Sequence, residues 1–142
     1  MAKLERLVWP HVKTLLVDRI QGVKSEWEEG KFTGSDTGTS PVPVVILEAA
    51  VLLDADWDDI LDGVWVITAP REVKLKRLME SRGLSEEECN KRIDAQISRR
   101  GIGNLEEEVQ KRVVTNVINN SGNEEEVVKL LRAALADPKS WK

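Results

Sequence analysis

The sequence predicts an α/β fold with a mostly parallel sheet, and three features of its 142 residues carry that reading. Short apolar runs rich in β-branched residues stand at Val44 to Leu47, Val64 to Thr68 and, in a more polar form, Val113 to Ile118. The first two are continuous rather than alternating, which is the pattern of strands covered on both faces. Between the runs lie helix-length segments with apolar residues every three or four positions, so strand and helix alternate as they do when crossovers join parallel strands.

The elements follow in order. Leu4, Leu7, Val8, Val12, Leu15, Leu16, Ile20 and Val23 form a stripe at helical spacing and are expected to face a core. Pro10 is expected to restart or kink that helix, because it lacks an N–H and its ring crowds the preceding turn. From Gly30 to Pro43 the chain is rich in Gly, Ser, Thr, Asp and Pro, a loop composition with too little apolar surface to order itself. Gly30-Lys31 there invites a phosphate-loop reading, but GxxxxGK[ST] needs glycine at 25 and Ser or Thr at 32, where Ser25 and Phe32 stand.

Beyond the second strand, Val73, Leu75, Leu78 and Met79 mark one helix, Ile93 and Ile97 another, and Val127, Val128, Leu130, Leu131 and Leu135 a last one. Pro70 leads into the first and Gly83 suits its left-handed end. Ser85 with Glu88 three residues on is a capping-box pattern that opens the second. Asn120 to Asn123 reads as a loop, and Glu124, Glu125 and Glu126 put negative charge on the first turn of the last helix, where the dipole favours it.

Composition narrows the function classes. An apolar fraction of 41% in a chain of this length suits one core, so a single domain over 1–142 is expected. A net charge of −4 argues against a nucleic-acid binder or a binder of acidic membranes. Cys89 and His11 are the only cysteine and histidine, which leaves no disulfide and no zinc ligand set, so no metal residues are assigned. Met1 to Leu16 carries Lys3, Glu5, Arg6 and Pro10 and does not read as a signal peptide, and no stretch approaches the roughly 20 apolar residues of a membrane span. A cytoplasmic location is expected.

At Glu48-Ala49-Ala50-Val51-Leu52-Leu53-Asp54-Ala55-Asp56-Trp57 the chain resembles the strand-end segment of dephospho-coenzyme A kinases, closest to the type fused into animal bifunctional coenzyme A synthases. Leu7-Val8-Trp9-Pro10 resembles the helix start of that family, and Val64-Trp65-Val66 its following strand. Leu75 to Glu87 resembles its helix, turn and lid-helix start, Ala95-Gln96-Ile97-Ser98-Arg99 its lid signature, and Val117 to Gly122 its last strand and loop. The collinear series spans residues 4 to 135.

The resemblance implies the C-terminal part of a three-layer P-loop kinase-type fold with a mostly parallel sheet and a helical lid at 85–112. It implies transfer of the ATP γ-phosphoryl group, with magnesium, to the 3′-hydroxyl of dephospho-coenzyme A. The family's phosphate loop and the aspartate suited to act as base have no counterpart in these residues, so no catalytic residue is assigned and the chain alone is expected to be inactive. The strand before that loop lies mid-sheet in the family, and a further segment or another chain is expected to fill its place. By resemblance Arg99 is the lid arginine, Asn120 and Gly122 lie beside the adenine, and Asp54 and Trp57 line the acceptor side. Arg77 is a nucleotide-binding candidate. Other roles stay open: Arg99 and Arg77 as solvated arginines, Asn120 and Gly122 as an ordinary turn, Trp57 as core. In the family a basic residue often stands about three positions after the lid arginine, where this chain has Ile102. Two alternatives of function remain, a non-catalytic nucleotide, coenzyme A or protein-binding module derived from such a kinase, and a kinase for a different nucleotide or nucleoside.

Overall fold

A computed structural model describes residues 2–31 and 44–142. These divide into two compact units, Met1–Ile60 and Leu61–Lys142.

In the first unit, helix α1 runs from Ala2 to Glu28 and passes through Pro10 without a break in the helical assignment. Gly30 ends it with φ +70, and the amide of Lys31 reaches back to the Glu26 carbonyl at 2.9 Å. Most of the 30–43 loop lies outside the described residues. The apolar stripe is helical as expected, but it is not buried: Leu4, Leu7 and Leu15 are each more than 60% exposed. A helix of 27 residues is about 40 Å long, and within its unit the rest of the described chain is only residues 29–31 and the short segment 44–60. That segment turns at 50–56, where Asp56 takes a left-handed φ of 52°, and ends in a 3-10 turn at Asp58–Ile60. Lys13 ties it to α1, donating to the Asp56 carbonyl at 2.9 Å and to the Asp59 carboxylate at 2.7 Å.

The expected buried strand at Val44 to Leu47 does not form. The segment has no strand assignment, and Val44, Val45 and Ile46 are exposed. Extended backbone becomes a strand only when a neighbour pairs with it, and among the described residues the only ladder is the one in the second unit.

That second unit is organised by two parallel strands, β1 at Trp65–Thr68 and β2 at Asn116–Asn119, in a register that runs from Trp65 opposite Asn116 to Thr68 opposite Asn119. The crossover between them contains α2 at Arg71–Arg82, α3 at Glu86–Ile97 and α4 at Leu105–Gln110, and α5 at Glu124–Ala136 follows β2. Gly83 closes α2 in the left-handed region, and the Ser85–Glu88 capping box opens α3. Val64, Cys89, Ile93, Val114, Ile118 and Ala134 are buried and make the core of this unit. None of the described helices is long and apolar enough to cross a membrane.

The amino-terminal end of the strand pair is locked by residues 138–141. After a 3-10 turn at Pro138–Ser140, the buried Ser140 accepts at its carbonyl from Trp65 Nε1 at 3.0 Å and from the Thr115 hydroxyl at 2.7 Å. Its Oγ accepts from the Asn116 amide at 2.6 Å, and the rings of Trp65 and Trp141 lie 5.5 Å apart at 55°. Gly63 passes under this latch so closely that a β-carbon there would sit 2.7 Å from the Ser140 carbonyl oxygen and 3.1 Å from the Trp141 ring. Gly63→Ala is therefore expected to lower the unfolding free energy by about 1–3 kcal/mol through overpacking, read as a lower urea midpoint by tryptophan fluorescence. An unchanged midpoint would show that the terminal latch yields without cost.

Candidate functional site

Parallel strands bring their carboxyl ends to one edge, the usual place for ligands in open α/β sheets. Thr68 and Asn119 end β1 and β2 side by side, and the next residues lead into α2 and α5. The Asn120 amide donates to the Thr68 carbonyl at 2.7 Å, which extends the ladder by one bond into the loop.

Arg77 then fixes that loop. It lies on the exposed face of α2 and its guanidinium forks, with Nη1 donating to the Asn120 carbonyl at 2.7 Å and Nη2 to the Gly122 carbonyl at 3.1 Å. The loop is pinned from its other side by a second capping box, in which Asn123 Oδ1 accepts from the Glu126 amide at 2.9 Å and Glu126 returns a bond to the Asn123 amide. A β-carbon at Gly122 would collide with the Glu126 carboxylate, so any side chain there disturbs the cap. Three of the sequence-predicted residues, Arg77, Asn120 and Gly122, thus form one assembly, and Arg77 spends two of its donors on backbone carbonyls.

The segment from α3 to α4, expected from the sequence to be a lid, has its own polar core. Beyond α3 the chain turns through 98–104, with the Arg99 carbonyl accepting from the Gly103 amide at 3.0 Å. Gly101 sits at φ +80, and a β-carbon at Gly103 would run into the Ile97 carbonyl. Both glycines beside Ile102 are therefore conditions of the turn. Arg100 points inward and meets Glu108 of α4 with two bonds, Nε to Oε1 at 3.0 Å and Nη2 to Oε2 at 3.1 Å. Asn104 bridges the pair to the turn, donating to Glu108 Oε1 at 2.9 Å and accepting from the Gly101 amide at 2.7 Å. Glu108 is only 3% exposed. The bond from Arg100, helped by the one from Asn104, holds its carboxyl below the usual carboxylate range against the opposing effect of burial. Arg99, one residue away, is exposed. Arg71 donates to Asp94 at 2.6 Å and to Asn90 at 2.7 Å, tying the start of α2 to the middle and C-terminal half of α3.

Asp54 and Trp57 belong to the first unit, in the turn at 50–56 and just after it. Trp57 is buried, and its Nε1 has no hydrogen-bond partner among the described residues. It lines a pocket of about 360 Å³ with Arg6, Trp9, Pro10, Lys13 and Ala55. Among the described residues no group of three or more His, Cys, Asp or Glu side chains is placed to hold a metal ion.

An α/β architecture with a loop at the carboxyl ends of two parallel strands and an arginine-bearing turn after α3 is the class that these features define. Residues 1–126 match the dephospho-CoA kinase family. The chain is 31% identical over 134 residues to a dephospho-CoA kinase of Thermus thermophilus, covering 94% of this chain and 54% of that protein. It is 30% identical over 131 residues to the enzyme of Moorella thermoacetica, covering 92% and 52%, and 38% identical over 88 residues to that of Geobacter sulfurreducens, covering 62% and 41%. No solved structure matches. The chain belongs to the dephospho-CoA kinase family, and it spans about half the length of the curated relatives it matches.

The Arg100–Glu108–Asn104 network makes a pH prediction. A carboxyl whose folded-state pKa is depressed contributes stability that is complete above the unfolded value, about 4.3 for Glu, and is lost as pH falls through the folded value. Glu108 belongs to that case. Glu108→Gln is expected to cost about 1.5–3 kcal/mol at neutral pH, the range for hydrogen bonds to a charged partner, and to flatten the acid limb of stability below about pH 4.3. Urea titrations of both proteins from neutral pH down to pH 3 measure it; parallel acid limbs would remove Glu108 from the account.

Proposed function

We propose that this chain carries the lid and the adenine-side loop of a cytoplasmic dephospho-CoA kinase, an enzyme that moves the ATP γ-phosphoryl group to the ribose 3′-hydroxyl of dephospho-CoA. The observation that carries the proposal is the loop at Asn120 to Gly122, placed at the carboxyl ends of two parallel strands and pinned there by Arg77. Phosphoryl transfer depends on positioning and on neutralising phosphate charge rather than on covalent chemistry by the protein. Residues 120–122 serve the base, Arg99 serves phosphate oxygens on lid closure, and Asp54 and Trp57 face the acceptor.

The chemistry has further requirements that these 142 residues do not contain, chiefly a GxxxxGK[ST] loop to cradle the β and γ phosphates and a base for the accepting hydroxyl. Both must come from a segment outside this sequence or from another chain, which would also supply a neighbour for Val44 to Leu47. Magnesium enters such reactions on the nucleotide phosphates with one or two protein carboxylates. Among the described residues no group of three or more His, Cys, Asp or Glu side chains gathers to hold it without the nucleotide.

The purified chain alone is expected to bind ATP or dephospho-CoA weakly, in the millimolar range by titration calorimetry, and to form no coenzyme A when given both with magnesium. ATP-dependent phosphorylation by the chain alone, abolished in Arg99→Ala, would overturn the division of labour. Binding of neither ligand at millimolar concentration would remove the nucleotide role and leave a protein-interaction module.

A further inference from the structure

We infer that Arg77 is a positioning residue for nucleotide selectivity, acting through the backbone of the 120–122 loop rather than by touching phosphate, an inference that rests on the adenine-side role proposed for that loop. Two of its donors are already committed, at 2.7 Å to the Asn120 carbonyl and at 3.1 Å to the Gly122 carbonyl. The two acceptors flank Ser121, so the guanidinium spans the residue at the loop tip and fixes the direction of the peptide groups on either side of it.

The chemistry of the fork matters. A planar guanidinium can bond two carbonyls at once with its geometry set in advance, whereas an ammonium is a point donor on a flexible stem. A lysine at position 77 would keep the charge and lose the span. The loop has no apolar anchor to replace it: residues 119, 121 and 123 are exposed, and the remaining ties are the Asn120 amide bond to Thr68 and the Asn123–Glu126 cap.

A base edge is read by donors and acceptors at fixed positions, and a site built for one pattern rejects another because its polar groups are left unpaired. The Asn120 and Gly122 carbonyls each give one lone pair to Arg77 and keep the other. Reading falls to the polar groups of the tip, namely the Ser121 carbonyl and hydroxyl, the amides of Ser121 and Gly122 and those second lone pairs, whose directions the fork sets. Loosening the fork should cost selectivity between bases at least as much as affinity.

The test uses the full 142-residue chain with ATP and GTP as probes, in wild type, Arg77→Gln and Arg77→Lys. Amide hydrogen exchange reads the loop and calorimetry reads the two dissociation constants. In Arg77→Gln, exchange at residues 120–123 is expected to accelerate about tenfold and ATP affinity to fall about fivefold, the scale of one or two lost hydrogen bonds, with the preference for ATP over GTP narrowing. Arg77→Lys is expected to follow Arg77→Gln. Three results would overturn the inference: unchanged loop exchange in both variants, ATP affinity rescued by lysine, which would mark a phosphate contact, or an unaltered ratio of ATP to GTP binding. A wild type that binds no nucleotide while Arg77→Gln still loosens the loop would sink the nucleotide role of the loop and leave the clamp supported.

Discussion

The parallel ladder between Trp65–Thr68 and Asn116–Asn119 is the constraint on which the second unit depends. Four residues on each of two strands is less than an independent sheet needs, since parallel pairing is slightly weaker per residue than antiparallel and two strands alone are marginal. The ladder persists because both of its ends are tied. At the amino-terminal end Thr115 accepts from the Val64 amide at 3.0 Å and donates to the Ser140 carbonyl, so one hydroxyl joins β1, the approach to β2 and the chain terminus. At the carboxyl end the Asn120–Thr68 bond and the Arg77 fork do the same for the loop.

Much of this second unit was legible in the sequence because its signals are local. Gly83, the Ser85–Glu88 box and the continuous run around Val66 each act within a few residues, and each element appears where its signal stands. The Asn123–Glu126 box carried the same spacing and could have been read in the same way. What the sequence concealed are pairings between distant residues. Glu108 is one of three consecutive glutamates, and nothing in Glu106-Glu107-Glu108 tells which one turns inward to Arg100. Ser140 lies in the polar stretch Asp137-Pro138-Lys139-Ser140, where no local pattern marks it, yet it is 1% exposed beneath Asn116 and Trp65.

The failures of the reading have one physical origin. Periodicity reports which side of an element is apolar, not whether anything lies against it. The stripe of α1 and the run at Val44 to Leu47 both carry the pattern of burial, and both remain open in the structure. Burial needs a second surface and a strand needs a ladder partner, and neither requirement can be read from the segment itself.

Arg99 and Arg100, neighbours in the turn after α3, take different places in the fold. Desolvating a carboxylate such as Glu108 is costly unless an opposite charge meets it with good geometry, and Arg100 meets both of its oxygens while Asn104 takes a further lone pair. The turn that makes this possible needs Gly101 at positive φ and no side chain at Gly103. Its tightness sends Arg100 inward and leaves Arg99 on the exposed side. Gly101 and Gly103 therefore help to fix where Arg99 stands. The turn is held by its backbone geometry and by the buried Arg100–Glu108 pair, so the position of Arg99 should depend on Glu108.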